Sequence, residues 1–118
     1  MAENIWKKAE KNIFIHKEGM NVTESCLDKN IKDNPNKTAF VFENESGDVE
    51  LYSYQKLLEE TNKFANFLSS LKIKKRSRIF IFLPKVPEMY VALLGTIRQG
   101  SIAAPLFEAF QSDGLELR

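Results

Sequence analysis

The side chains with the widest chemical range are few in this sequence. His16 is the only histidine and Cys26 the only cysteine among 118 residues. A zinc site takes three or four ligands from histidine, cysteine and carboxylate, so this pair falls short and no metal site is expected. A hydrolase built on serine or cysteine would have to use His16 as its base. His16 lies in a polar stretch with no strand-to-helix elbow beside it, which removes the usual setting of a nucleophile. The simpler expectation is a surface His16 and a small, buried Cys26. Two carboxylate pairs, Glu24 with Asp28 and Glu59 with Glu60, lack the apolar surroundings that would raise a pKa, so they are expected to face solvent.

Phosphate binding leaves two candidates. Gly95 and Gly100 have the spacing of a Walker loop, but no lysine follows the second glycine. They also sit at the end of an expected helix and before a strand, the reverse of the Walker order, so Gly100 reads as a helix cap. The second candidate is the basic cluster Lys72, Lys74, Lys75, Arg76 and Arg78, with Phe80 and Phe82 close behind. Cations beside aromatics can hold single-stranded nucleic acid. The apolar run that contains both phenylalanines is better suited to burial, and a charge run alone usually marks a solvated connection.

The elements that would position these groups follow from the pattern of apolar residues. Ile5, Trp6 and Ala9 form one face of a short helix, through which the lysine-rich residues 1–20 are expected to pack. Residues 21–34 read as a helix capped by Asn21 or Thr23, with Val22, Cys26, Leu27 and Ile31 as its stripe. Asn34-Pro35 ends it, because proline disfavours helical geometry in the residue before it. Residues 38–42 and 49–53, joined by the turn chemistry of Asn44-Glu45-Ser46-Gly47-Asp48, read as a β-hairpin. A helix over 54–71 follows, capped by Ser53, with Leu57, Thr61, Phe64, Ala65, Leu68 and Leu71 at helical spacing. The apolar run 79–83 suggests a strand covered on both faces, as in a parallel sheet. Residues 87–99 are apolar around most of their circumference and predict a buried helix with Pro87 in its first turn. Residues 102–106 read as a second strand, which makes the strand–helix–strand run a βαβ unit. A further helix opens at Ser112 or Asp113, and its brevity to residue 118 suggests a piece of a larger fold.

Composition bounds these readings. Seventeen lysines and arginines against sixteen acids leave a net charge of +1, and 43% of the residues are hydrophobic. That balance excludes global disorder and gives no broad cationic field for nucleic acid. A single cysteine allows no intrachain disulfide and fits a reducing compartment. No apolar run is long enough for a transmembrane helix and the N-terminus lacks a signal-peptide core, so a cytoplasmic location is expected.

Three segments together resemble the AMP-forming acyl-CoA synthetases of the adenylate-forming superfamily. They are residues 51–57 (LYSYQKL), 78–88 (RIFIFLPKVPE) and 93–106 (LLGTIRQGSIAAPL). The ending Pro105-Leu106-Phe107-Glu108-Ala109-Phe110 is most similar to bacterial acetyl-CoA synthetases of the AcsA type. The resemblance implies an α/β fold, an incomplete piece of the family's N-terminal domain containing the hairpin and the βαβ unit. It makes residues 1–20 a polar extension and residues 21–118 the start of the large AMP-binding domain.

The resemblance also implies an activity for the parent protein. Acetate and ATP give acetyl-adenylate and pyrophosphate, and the acetyl group then passes to coenzyme A, with Mg2+ as the metal. The family's phosphate loop, adenine and ribose contacts, hinge acid and C-terminal lysine come later in its chain. No catalytic residue, metal or bound cofactor is therefore expected in these 118 residues, and the piece alone is expected to be inactive. Phe107, Glu108, Ala109 and Phe110 would lie in the vicinity of coenzyme A, with packing as the alternative role of the two phenylalanines. Two other readings stay open: a standalone non-catalytic α/β interaction module, and a weak nucleic-acid binder through Lys72 to Arg78. Sheet edges left without neighbours would favour self-association.

Overall fold

The computed structural model describes residues 4–11, 19–106 and 109. The chain divides into two units, Met1–Glu60 and Thr61–Arg118.

The first unit begins with α1 (Ile5–Glu10), where the Asn4 side chain accepts a hydrogen bond from the Trp6 backbone N–H at 2.9 Å. The expected packing through Trp6 is not seen: Ile5 and Trp6 stay exposed. A helix of six residues presents too little apolar surface to hold itself down. In the next helical stretch Asn21 is the cap, its Oδ1 accepting from Thr23 N–H at 3.0 Å. Residues Glu24–Asp28 then form a π-helical turn that runs into α2 (Lys29–Asp33). A π turn holds more residues than an α turn, so it rotates the expected stripe out of register. Leu27 and Thr23 are buried, whereas Val22 and Cys26 are exposed, which corrects the expectation of a buried Cys26. Asn34 is extended, as its place before Pro35 requires.

Strands β1 (Thr38–Glu43) and β2 (Val49–Ser53) pair antiparallel, with Phe40 opposite Tyr52 and Val41 opposite Leu51. The Phe40 and Tyr52 rings stack with centroids 4.7 Å apart. Gly47 supplies the left-handed residue of the turn, and Asn44 Oδ1 accepts from Asp48 N–H at 2.8 Å. Ser53 ends β2 and starts α3 (Tyr54–Ser70), its Oγ accepting from Lys56 N–H at 3.1 Å. Of the predicted stripe on α3, Leu57, Thr61, Ala65 and Leu68 are buried, while Leu71 lies beyond the helix and is exposed.

In the second unit, β3 (Arg78–Ile81), α4 (Pro87–Gln99) and β4 (Ile102–Pro105) form the predicted βαβ unit. The strands pair in parallel, with Arg78 opposite Ile102 and Phe80 opposite Ala104. Helix α4 packs on both strands. Strand alternation puts Ile79 and Ile81 on the α4 side, and Ile81 is buried. Phe80 and Ile102 share the opposite face and remain 53% and 52% exposed. The expected cover on both faces of this strand is therefore absent among the described residues, because a helix layer lies on one side only. Phe82 and Leu83 fall beyond the strand and are exposed as well. Helix α4 likewise buries one side, through Pro87, Ala92, Gly95 and Thr96, and leaves Tyr90 exposed. Gly100 ends it at φ 93°, the left-handed cap expected from the sequence. No helix among the described residues is long and apolar enough to cross a membrane.

Candidate functional site

In α/β sheets ligands bind outside the carboxyl ends of parallel strands, because loops there carry side chains that the sheet holds still. Here that edge is made by the ends of β3 and β4. Leu106 N–H donates to the Ile81 carbonyl oxygen at 2.8 Å, which extends the pairing one residue past β4. The chain thus leaves the sheet toward Phe107, Glu108 and Phe110, which lie outside the described residues, and Ala109, which sits exposed in a turn. From β3 the segment Phe82 to Val86 leads to the N-terminus of α4, where Val86 caps in extended geometry without a side-chain bond.

Electrostatics decide what this edge can hold. The N-terminal end of a helix favours an anion. Glu88 occupies the first turn of α4 and already supplies negative charge there. Of the two glycines at Walker spacing, Gly100 lies at the other end of the helix and Gly95 within it. Gly100 N–H bonds back to the carbonyls of Thr96 and Ile97, and Gly95 is buried within α4. The Walker reading is excluded by that geometry. Among the described residues no three His, Cys, Asp or Glu side chains come together as a metal cluster. His16 lies outside the described residues.

The basic connection is exposed at Lys72, Lys74, Lys75, Arg76 and Arg78. Lys72 and Arg76 adopt left-handed backbone at φ 56° and 66°, a region that costs a side chain energy. Arg76 N–H donates to the Gly100 carbonyl oxygen at 2.8 Å, which holds the connection against the end of α4. Neither left-handed residue was legible in the sequence, since lysine and arginine give no such signal.

A second cluster was also missed. Lys56 Nζ lies 2.7 Å from Glu50 Oε1 and 4.0 Å from the centroid of the Tyr52 ring. The hydrogen bond from Lys56 holds the Glu50 carboxyl below its ordinary value, and the same bond raises Lys56. The signal was present: Glu50 and Tyr52 alternate onto one face of β2, and Lys56 is in the first turn of α3. All three lie in or beside the segment 51–57. Of the paired carboxylates, Glu59 is exposed and accepts from Gln55 Nε2, while Glu24, Asp28 and Glu60 are half-buried.

Comparison with known proteins bears on these features. The profile of the AMP-binding enzyme family matches residues 27–118. An acetyl-coenzyme A synthetase of Campylobacter jejuni subsp. jejuni (strain 81-176) is 40% identical over 99 residues, covering 84% of this chain and 15% of that protein. One from Pasteurella multocida is 36% identical over 123 aligned residues, covering 96% of this chain and 19% of the relative. The chain thus spans under a fifth of these curated relatives. Among solved structures, apo MatB from Rhodopseudomonas palustris is 28% identical with a TM-score of 0.69, covering 82% of this chain and 18% of that one. A Brucella canis acyl-CoA synthetase matches with a TM-score of 0.84 over 98% of this chain and 21% of its own, at 24% identity, which speaks for the fold.

Proposed function

The chain belongs to the AMP-binding enzyme family, and from that footing we propose that it supplies the opening part of an acetate–CoA ligase (AMP-forming). The parent would activate acetate with ATP to acetyl-adenylate and pyrophosphate, then pass the acetyl group to coenzyme A. The observation that carries the reading is the 40% identity to an acetyl-coenzyme A synthetase over 84% of this chain.

The work these residues do is architectural. Adenylation needs hydrogen-bond donors and a cation held at the charge that develops on the phosphates. The described residues offer no metal cluster, and Glu88 stands at the α4 N-terminus. On this reading groups elsewhere in the parent chain hold magnesium and the triphosphate, and the 118 residues alone are expected to be inactive. What β3, α4 and β4 supply is a fixed carboxyl edge. Leu106 is tied to Ile81 there, so the segment Phe107, Glu108, Ala109 and Phe110 starts from a fixed point. That segment is the part of this chain nearest coenzyme A in the reading. The Glu108 carboxylate would repel phosphates, so it would meet the nucleotide away from its charged groups. The protein acts in the cytoplasm.

A chimera tests this. The 118 residues replace the matched segment of the Campylobacter relative, and pyrophosphate release is measured with acetate. Release that requires acetate, ATP and coenzyme A for a full cycle is expected from the chimera, and none from the chain alone. Release by the isolated chain, or a folded chimera that ignores acetate, overturns the reading.

A further inference from the structure

The proposed function leaves the basic connection between α3 and β3 unused. Across residues 61–87 the sequence holds seven lysines and arginines and no acid, and five of those cations fall within residues 72–78. The backbone that carries them is tied down. Lys72 N–H donates to the Ser69 carbonyl oxygen at 2.9 Å, the Ile73 carbonyl oxygen accepts from Gln99 Nε2 at 2.9 Å, and Ile102 N–H donates to the Ser77 carbonyl oxygen at 2.8 Å. With the Arg76 bond to Gly100, these contacts make a fixed strap that presents exposed charge of one sign.

Two of the cations stand where a side chain is strained. Lys72 and Arg76 hold left-handed backbone, which glycine adopts without cost. Strain kept at a surface position points to a use for the side chain that bears it. The end of α4 does not supply that use. A helix C-terminus favours cations, but Arg98 already occupies its last turn and the Lys75 stem lies beside Gly100. That accounts for Lys75 and not for Lys72, Lys74 or Arg76, whose bond to Gly100 uses only backbone atoms.

We propose that the strap, with Phe67 and Leu71 just before it, is a peripheral docking surface for an anionic lipid membrane. Leu71 N–H donates to the Phe67 carbonyl oxygen at 3.2 Å, so the two lie one helical turn apart, and they are 55% and 54% exposed. An exposed apolar pair followed by a run of cations has the make-up of an interfacial segment. The apolar side chains enter the headgroup boundary, and lysine stems reach back to the phosphates. Nucleic acid fits less well: leucine offers a base no ring to stack on, and a net charge of +1 gives a long polyanion no field beyond the strap. A lipid surface needs only the local patch, since salt limits the reach of charge to about 10 Å. A protein partner is disfavoured by the three lysines, a residue depleted at such interfaces. The strap lies where β3 and β4 begin, so a membrane there leaves their carboxyl edge open.

Vesicles of phosphatidylcholine, with and without one-quarter phosphatidylglycerol, are mixed with the 118-residue chain and with the chimera, and the bound fraction is read by sedimentation. Both proteins are expected to bind the anionic vesicles only, and less as sodium chloride is raised. Lys72→Gly with Arg76→Gly removes two cations and the strain together. Its binding should fall at least about tenfold while its melting temperature stays level or rises, which excludes unfolding as the cause. Lys72→Arg with Arg76→Lys keeps the charge and should keep the binding. Phe67→Ser with Leu71→Ser should weaken binding at least about threefold at unchanged salt dependence. Failure of either protein to bind anionic vesicles, equal binding to neutral ones, or undiminished binding by the glycine variant overturns the proposal. So does a glycine variant less stable than the unsubstituted chain, because the cations are then held at no cost. An unaffected serine variant, or tighter binding of a single-stranded oligothymidylate, also overturns it, since charge alone then explains the strap.

Discussion

Gly95 of α4 lies against Phe64 of α3 so closely that a Cβ at position 95 would stand 2.8 Å from Phe64 Cδ1 and 3.0 Å from the Thr61 carbonyl oxygen. The first neighbour is a ring atom that could turn, but the second is backbone. Elsewhere in a helix interior alanine is favoured over glycine by up to about 1 kcal/mol. Crowding against a fixed carbonyl outweighs that, since overpacking costs roughly 1–3 kcal/mol. Gly95→Ala is therefore expected to lower the urea midpoint, and an unchanged or raised midpoint would show that α3 and α4 can separate freely.

The same crossing holds two orphans. Thr61 and Thr96 are fully buried, and neither hydroxyl has a hydrogen-bond partner among the described residues. A buried hydroxyl without a partner costs roughly 1–3 kcal/mol, and valine has nearly the same shape without that penalty. Thr96→Val should raise stability, by about 1 kcal/mol on the same scale. Chemical denaturation decides it, and a loss on substitution would mean that the hydroxyl is satisfied in solution.

Left-handed backbone gives opposite expectations at three positions. Lys72 and Arg76 bear side chains at φ 56° and 66°, where glycine rests without strain. Lys72→Gly and Arg76→Gly should each stabilise by up to about 1 kcal/mol, the strain removed being partly offset by the greater freedom of the unfolded chain. At Gly100, φ is +93° and an added Cβ would come within 3.3 Å of Lys75 Cγ, so Gly100→Ala should cost roughly 1–2 kcal/mol. Thermal unfolding of the three variants side by side would expose any reversal of this order.

The Glu50–Lys56 pair should leave a signature at both ends of the pH scale. Glu50 is lowered by the Lys56 hydrogen bond, so its share of stability is present above the unfolded value and is lost as pH falls through the lowered one. Lys56 is raised by Glu50, so its share is present below the unfolded value and is lost as pH rises through the raised one. In Lys56→Met the Glu50 titration, followed by NMR of the side-chain carboxyl, should move up toward an ordinary glutamate. No movement would show that the pair is open in solution.

Much of the fold was legible because single elements announce themselves locally. Ser53 caps α3, Gly47 turns the hairpin, Pro35 ends the helix before it and Gly100 stops α4, and each of these acts through the backbone within a few residues. The burial of Cys26 was misjudged because a π turn rotates the stripe, and no residue type in 24–28 signals such a turn. The candidate coenzyme A segment came from the family resemblance and not from its residue types, and what the structure adds is the Leu106 anchor that precedes it.

The amino-acid order by itself determined the succession of hairpin, helix and βαβ unit, and through segments 51–57, 78–88 and 93–106 the family. Periodicity and capping are short-range, so they survive in a string of letters. Only the tertiary structure decided which apolar residues find a partner. Phe80 and Ile81 are neighbours of equal apolar promise, yet Ile81 meets α4 and Phe80 is exposed, because strand alternation sends them to opposite faces and, among the described residues, a helix layer lies on just one.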